Sequence, residues 1–180
     1  AVMEKNRQGL LHIYCGDGKG KTSAAVGMAV RAAGCGMKVL VIRFLKTENS
    51  GEVEVLRSIP GITVTPCDRT FGFVFRMTEE QKQEAALYYQ SRFEAAAKKA
   101  VQGQYDLLIL DEILASCNYG MVRETSVVEF LKNRPEKLEV VLTGRNPSET
   151  FLELADYVSE IHMRRHPYEK GIPARRGIEF

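Results

Sequence analysis

The stretch Cys15-Gly16-Asp17-Gly18-Lys19-Gly20-Lys21-Thr22 limits what this chain can become more than any other. It follows an apolar run, Leu10 to Tyr14, that reads as a buried strand, and it precedes Ser23 to Ala33, which reads as a helix packed on a sheet. Strand, glycine-rich turn, Lys-Thr and helix is the layout of a phosphate-binding loop. Glycines let backbone N–H groups turn into a concave anion site. The helix N-terminus adds unsatisfied donors and a positive dipole end. Lys21 supplies a mobile charge, and the Thr22 hydroxyl suits Mg²⁺. In the usual pattern a glycine stands where this chain has Cys15, which reads as a small filler at the strand end. The alternative is a Gly/Lys-rich surface turn; the flanking elements argue against it.

At 180 residues, 44% hydrophobic and 27% charged, the chain fits one soluble domain spanning 1–180, with residues 1–8 expected to be a flexible lead-in. A net charge of +2 is too balanced for a broad nucleic-acid surface. No apolar run approaches a membrane span, and the first residues lack a signal core. The four cysteines, Cys15, Cys35, Cys67 and Cys117, form no Cys-x-x-Cys pair. They suggest neither zinc nor a disulfide framework, and a cytoplasmic location is expected.

The remaining chain alternates strands and helices. Lys38–Phe44, Ile62–Thr65, Tyr105–Asp111, Leu138–Thr143 and Tyr157–Met163 read as further strands. Helices are expected over Val53–Ile59, from a capping box at Thr78 to about Gln102, over Ile113–Tyr119, over Glu124–Asn133, and from a Ser148 cap to Ala155. The fold class is therefore α/β: a three-layer P-loop NTPase-like (RecA-like) domain with a mostly parallel sheet of about six strands. Leu107 to Leu110 followed by Asp111-Glu112 matches a Walker B strand, whose carboxylates at the sheet's C-terminal edge can hold Mg²⁺. An acidic helix cap is the alternative. Phe71, Phe73 and Phe75 alternate between Arg69 and Arg76, as either a core strand edge or a functional aromatic cluster. The basic residues from Arg164 to Arg176 read most simply as a solvated tail.

Several segments occur together in order: Gly16 to Thr22, Gly72-Phe73-Val74-Phe75, Leu110-Asp111-Glu112, Leu142-Thr143-Gly144-Arg145, Leu154 to Glu160, and His166 to Phe180. In this combination the chain resembles the ATP:corrinoid adenosyltransferases of the P-loop type. That resemblance implies attack by cobalt(I) of a reduced corrinoid on C5′ of ATP, with inorganic triphosphate leaving. It assigns ATP to Gly16, Asp17, Gly18, Lys19, Gly20, Lys21, Thr22, Ser23, Arg31 and Arg145. It assigns Mg²⁺, replaceable by Mn²⁺, to Thr22 and Glu112 with Asp111 beside them. Lys21, Thr22 and Glu112 become the catalytic set. Phe73 and Phe75 become the aromatic pair that closes under the corrinoid and displaces its lower axial base, which eases reduction of the metal. Relatives often carry tryptophan at the second position, and this chain has none. A reduced flavoprotein donor and a homodimer are also implied; nucleic-acid and membrane partners are not. A helix-surface ion pair is the alternative for Arg31, and a turn-stabilising role for Arg145. The competing functions are a RecA-like ATPase acting on nucleic acid and a small-molecule kinase.

Overall fold

The computed structural model describes residues 7–180. Of the segment expected to be flexible, residues 1–6 lie outside the described residues. Arg7 is tied down: its guanidinium donates to Glu139 at 3.3 Å and to the Lys137 carbonyl at 2.8 Å.

Six strands form one sheet: β1 (Leu11–Cys15), β2 (Val39–Arg43), β3 (Ile62–Val64), β4 (Leu107–Asp111), β5 (Glu139–Thr143) and β6 (Tyr157–Glu160). Their order is β3-β2-β4-β5-β1-β6, and every pairing is parallel. Parallel pairing needs a crossover between neighbours, and helices supply it: α1 (Lys21–Gly34), α2 (Glu52–Ser58), α3 (Glu79–Gln102), α4 (Ile113–Asn118), α5 (Glu124–Asn133) and α6 (Glu149–Leu154). Strands β2 and β4 are buried at every position, as a sheet covered on both faces requires. Alternate residues feed two cores. Leu40, Ile42, Leu108 and Leu110 join α3, α4 and α5 on one face; Val39, Val41, Leu107 and Ile109 join α1 and α2 on the other. This is the expected three-layer arrangement, with the sheet parallel throughout.

The strand order matters for the site. β5 lies between β1, which leads into the glycine-rich loop, and β4, which carries Asp111. The C-terminal ends of all three strands therefore open on one edge, where such sheets bind ligands.

Helix α3 starts where its sequence says it should. The Thr78 hydroxyl accepts from the Gln81 N–H at 3.2 Å, and the Gln81 side chain accepts from the Thr78 N–H at 2.9 Å.

Two segments depart from their simplest reading. The alternating phenylalanines do not form a strand edge. After β3 the chain leaves the sheet, and Arg92 of α3 holds the turned backbone by donating to the carbonyls of Arg43, Thr65 and Pro66. A single 3-10 turn, Val74–Arg76, follows. The basic tail is exposed yet not merely solvated. Residues 161–163, between β6 and the tail, cross the glycine-rich loop, and the tail's last residues, Gly177 to Phe180, wall the cavity beside it.

Candidate active site

The loop is shaped as much by its neighbour as by its own glycines. The Gly18 N–H donates to the Ile161 carbonyl at 2.8 Å, and the Ile161 N–H donates to the Cys15 carbonyl at 2.8 Å. The Asp17 carboxylate accepts from the Met163 N–H at 2.9 Å, a bond that holds its pKa below the usual carboxylate range. A Cβ at Gly16 would overlap the Ile161 backbone, and one at Gly18 would lie 2.9 Å from its carbonyl. Gly16 also has φ +104°, open to glycine and strained for other residues. These two glycines therefore admit the backbone of residues 161–162. The Gly18 donor is already used, while the N–H groups from Gly20 into the first turn of α1 are free of the helix's own ladder and suited to an anion.

Lys21 sits at the start of α1 and donates to the Gly18 carbonyl at 2.8 Å, so its ammonium is folded back over the loop. Partial burial lowers its pKa, opposed by the nearby Glu112 carboxylate. The Thr22 hydroxyl donates to Asp111 Oδ1 at 3.0 Å, while the Thr143 hydroxyl donates to the same oxygen at 2.7 Å. Asp111 is only 2% exposed. Helix α1, strand β4 and strand β5 thus each send one polar group to a single buried point.

Glu112, the next residue, has a left-handed backbone (φ 64°), and its N–H donates to the Thr143 hydroxyl at 2.9 Å. Burial raises its pKa, and the Asp111 charge raises it further. Of the two carboxylates, the structure brings Asp111 against Thr22, with Glu112 beside that pair.

Lys46 was not among the residues the sequence singled out. Its ammonium donates to the Thr22 hydroxyl at 2.8 Å and forms an ion pair with Asp111 Oδ2. A cation thus already stands between a threonine hydroxyl and a buried carboxylate. This donor set, all oxygen, with the Thr143 hydroxyl of β5 holding the carboxylate in place, fits a hard divalent ion such as Mg²⁺. No cluster of three or more His, Cys, Asp or Glu suited to a metal occurs among the described residues. A nucleotide-dependent Mg²⁺ site needs none, because phosphates and water complete its shell. The available signal for Lys46 was its place just past β2, at the ligand-binding edge of the sheet.

The remaining predicted residues separate into near and far. Arg145 follows β5, and its guanidinium reaches the Asp17 carbonyl at 3.5 Å, beside the loop. Ser23 lines the adjoining cavity, and Lys19 pairs with Glu179 of the tail at 3.7 Å. Arg31 is not brought to the loop. It lies ten residues along α1 from Lys21, about 15 Å of helix, in a groove with His12, Tyr14 and Tyr157.

A cavity of about 610 Å³ opens beside Thr22, Ser23 and Lys46, closed on its far side by Gly177 to Phe180. A second, of about 250 Å³, is formed by Leu45, Lys46, Thr47, Phe71, Phe73 and Tyr89. Lys46 and Thr47 belong to both. Of the three phenylalanines, Phe71 packs on Tyr88 and Tyr89, with ring centroids 5.5 and 5.8 Å apart. Phe73 and Phe75 stack on each other at 5.4 Å and stay 64% and 78% exposed, with Arg76 over both rings. One ring anchors the segment and two are displayed.

Sheet order, glycine-rich loop and the Thr22–Asp111 pair define a P-loop protein of the α/β class. A likeness to the cytoplasmic domain of EssC, with TM-score 0.51 and 16% identity over 96% of this chain and 37% of that one, extends to fold alone. The family model for ATP:corrinoid adenosyltransferase BtuR/CobO/CobP matches residues 7–180. The corrinoid adenosyltransferase of Pseudomonas aeruginosa is 32% identical, covering 98% of this chain and 86% of its own. That of Escherichia coli K12 is also 32% identical, covering 98% and 88%. The chain belongs to the ATP:corrinoid adenosyltransferase family, and the nucleic-acid ATPase and kinase alternatives find no support there.

Proposed function

We propose that the chain transfers the 5′-deoxyadenosyl group of ATP to cobalt(I) of a reduced corrinoid, with the residues above in defined roles. The cobalt electron pair forms the Co–C5′ bond, the C5′–O bond breaks, and triphosphate leaves with the electron pair of the broken C5′–O bond. The substrate carries the difficult chemistry, so the protein's task is binding, orientation and charge stabilisation.

The N–H groups at the start of α1 and the Lys21 ammonium stabilise the departing triphosphate. Thr22 and Asp111, with Glu112 beside them, would hold Mg²⁺ or Mn²⁺. When bound, such an ion neutralises charge on the leaving group. Arg145 supplies a further positive charge beside the loop. Phe73 and Phe75 cover the lower face of the corrinoid in place of its axial base. Arg31 lies outside this set, and its nucleotide contact rests on the family resemblance alone. A homodimer, a flavoprotein donor and a cytoplasmic setting complete the reading; no helix of the described residues is long and apolar enough to cross a membrane.

The observation that carries this reading is the shared wall. The cavity beside the loop and the cavity under Phe73 meet at Lys46 and Thr47. A nucleotide in the first can therefore present its sugar toward a large ring resting on the second. The test is to supply ATP, Mg²⁺ and chemically reduced cobalamin and to identify the products. Adenosylcobalamin and triphosphate in equal amounts are expected. ADP and phosphate formed without regard to the corrinoid would overturn the assignment.

A further inference from the structure

Lys46 is more than a wall between two cavities. Its side chain is 23% exposed and the Asp111 side chain 3%, so the ion pair is largely removed from water. The Asp111 carboxylate has no other cationic partner among the described residues, and a buried carboxylate without a counter-charge is strongly disfavoured. The backbone is arranged to bring this lysine in. Arg43, the last residue of β2, stands opposite Asp111 in the β2–β4 register, and the Phe44 N–H donates to the Asp111 carbonyl at 2.9 Å. Two residues on, Leu45 takes φ 55°, a left-handed conformation uncommon for a bulky side chain. That turn directs Lys46 back between Thr22 and Asp111. Backbone strain of this kind persists where surrounding structure enforces it, and it clusters at functional sites.

We propose that Lys46 is the exchangeable cation of the metal position. It holds Thr22 and Asp111 together before nucleotide arrives, and it yields those oxygens to the divalent ion that enters with the triphosphate. This inference rests on the reading of Thr22 and Asp111 as metal-binding oxygens. Ammonium and divalent ion compete for the same two oxygens, so the protein without nucleotide resists metal. Nucleotide changes the balance by giving the displaced ammonium an anion. Lys46 lines the 610 Å³ cavity and reaches the triphosphate there by side-chain rotation. In that position it adds a second mobile charge, after Lys21, to the leaving group. Metal loading is thereby conditional on the substrate that needs it.

The experiment measures Mn²⁺ binding to the full chain by electron paramagnetic resonance, without nucleotide, for wild type and for Lys46→Met and Lys46→Arg. Removing a cation a few ångströms from the metal position should tighten Mn²⁺ binding to Lys46→Met by at least about tenfold. Lys46→Arg, which keeps the charge, should stay near wild type. Equal affinities for wild type and Lys46→Met, including no binding to either, would overturn the exchange. Circular dichroism checks folding, and Lys46→Gln replaces Lys46→Met if that variant does not fold. Asp111→Asn, measured with ATP present, separates the two ideas. Loss of the protein-specific Mn²⁺–ATP signal supports the metal position, and an unchanged signal removes that position and the exchange with it.

Discussion

The two regions proposed to face the substrates are built on opposite terms. Around Thr22 and Asp111 the polar groups are buried or half-buried and already bonded to one another. Around Phe73 and Phe75 the rings are exposed and lean on each other. The difference follows from what each region can do alone. Buried polar groups left unpaired cost free energy, so the charged end must be organised before any ligand arrives. An exposed aromatic pair carries no such penalty and can await a flat apolar partner. In the proposed reaction, preorganised charge would serve the bond-breaking end and adaptable surface the ring-binding end.

The sharpest way to break this contrast is at the charged end. Lys21→Ala removes a central charge from the leaving group and should lower turnover with pre-reduced cobalamin by about 10²–10³-fold. Near-normal triphosphate release would show that the loop N–H groups suffice. Gly16→Ala tests whether the loop depends on the crossing strand. It introduces both backbone overlap with Ile161 and an unfavourable φ, and should destabilise the protein by about 1–3 kcal/mol in urea unfolding. An unchanged midpoint would mean that residues 161–163 give way easily. At the aromatic end two neighbours should behave differently. Phe71→Ala should cost about 2 kcal/mol of stability, because its ring packs on Tyr88 and Tyr89. Phe73→Ala should stay within about 0.5 kcal/mol while impairing the reaction begun from cobalt(II) more than that begun from cobalt(I). Equal losses from both starting states would count against the axial-base role.

Much of this organisation was legible in the chain. The loop, the Asp111 strand, the α3 capping box and the alternation of strands with helices rest on local pattern, and local pattern survives folding. What escaped depends on distant neighbours. The distinction between Phe71 and Phe73 is set by tyrosines that α3 presents, not by anything in the Phe-x-Phe-x-Phe repeat. The tail reads as solvated because its charges are exposed; the backbone contacts that residues 161–163, read as strand, make with the loop leave no compositional trace. Lys46 belongs to no motif considered, and its role needs the β2–β4 pairing and the turn at Leu45. Asp111 rather than Glu112 reaches Thr22 because strand alternation and the left-handed Glu112 aim the two carboxylates differently.

The bond from Met163 to Asp17 joins positions 146 residues apart. During synthesis the glycine-rich loop leaves the ribosome long before the backbone that braces it. A nascent chain ending just short of residue 163 carries every residue of the loop but lacks the full backbone brace that fixes the loop's shape.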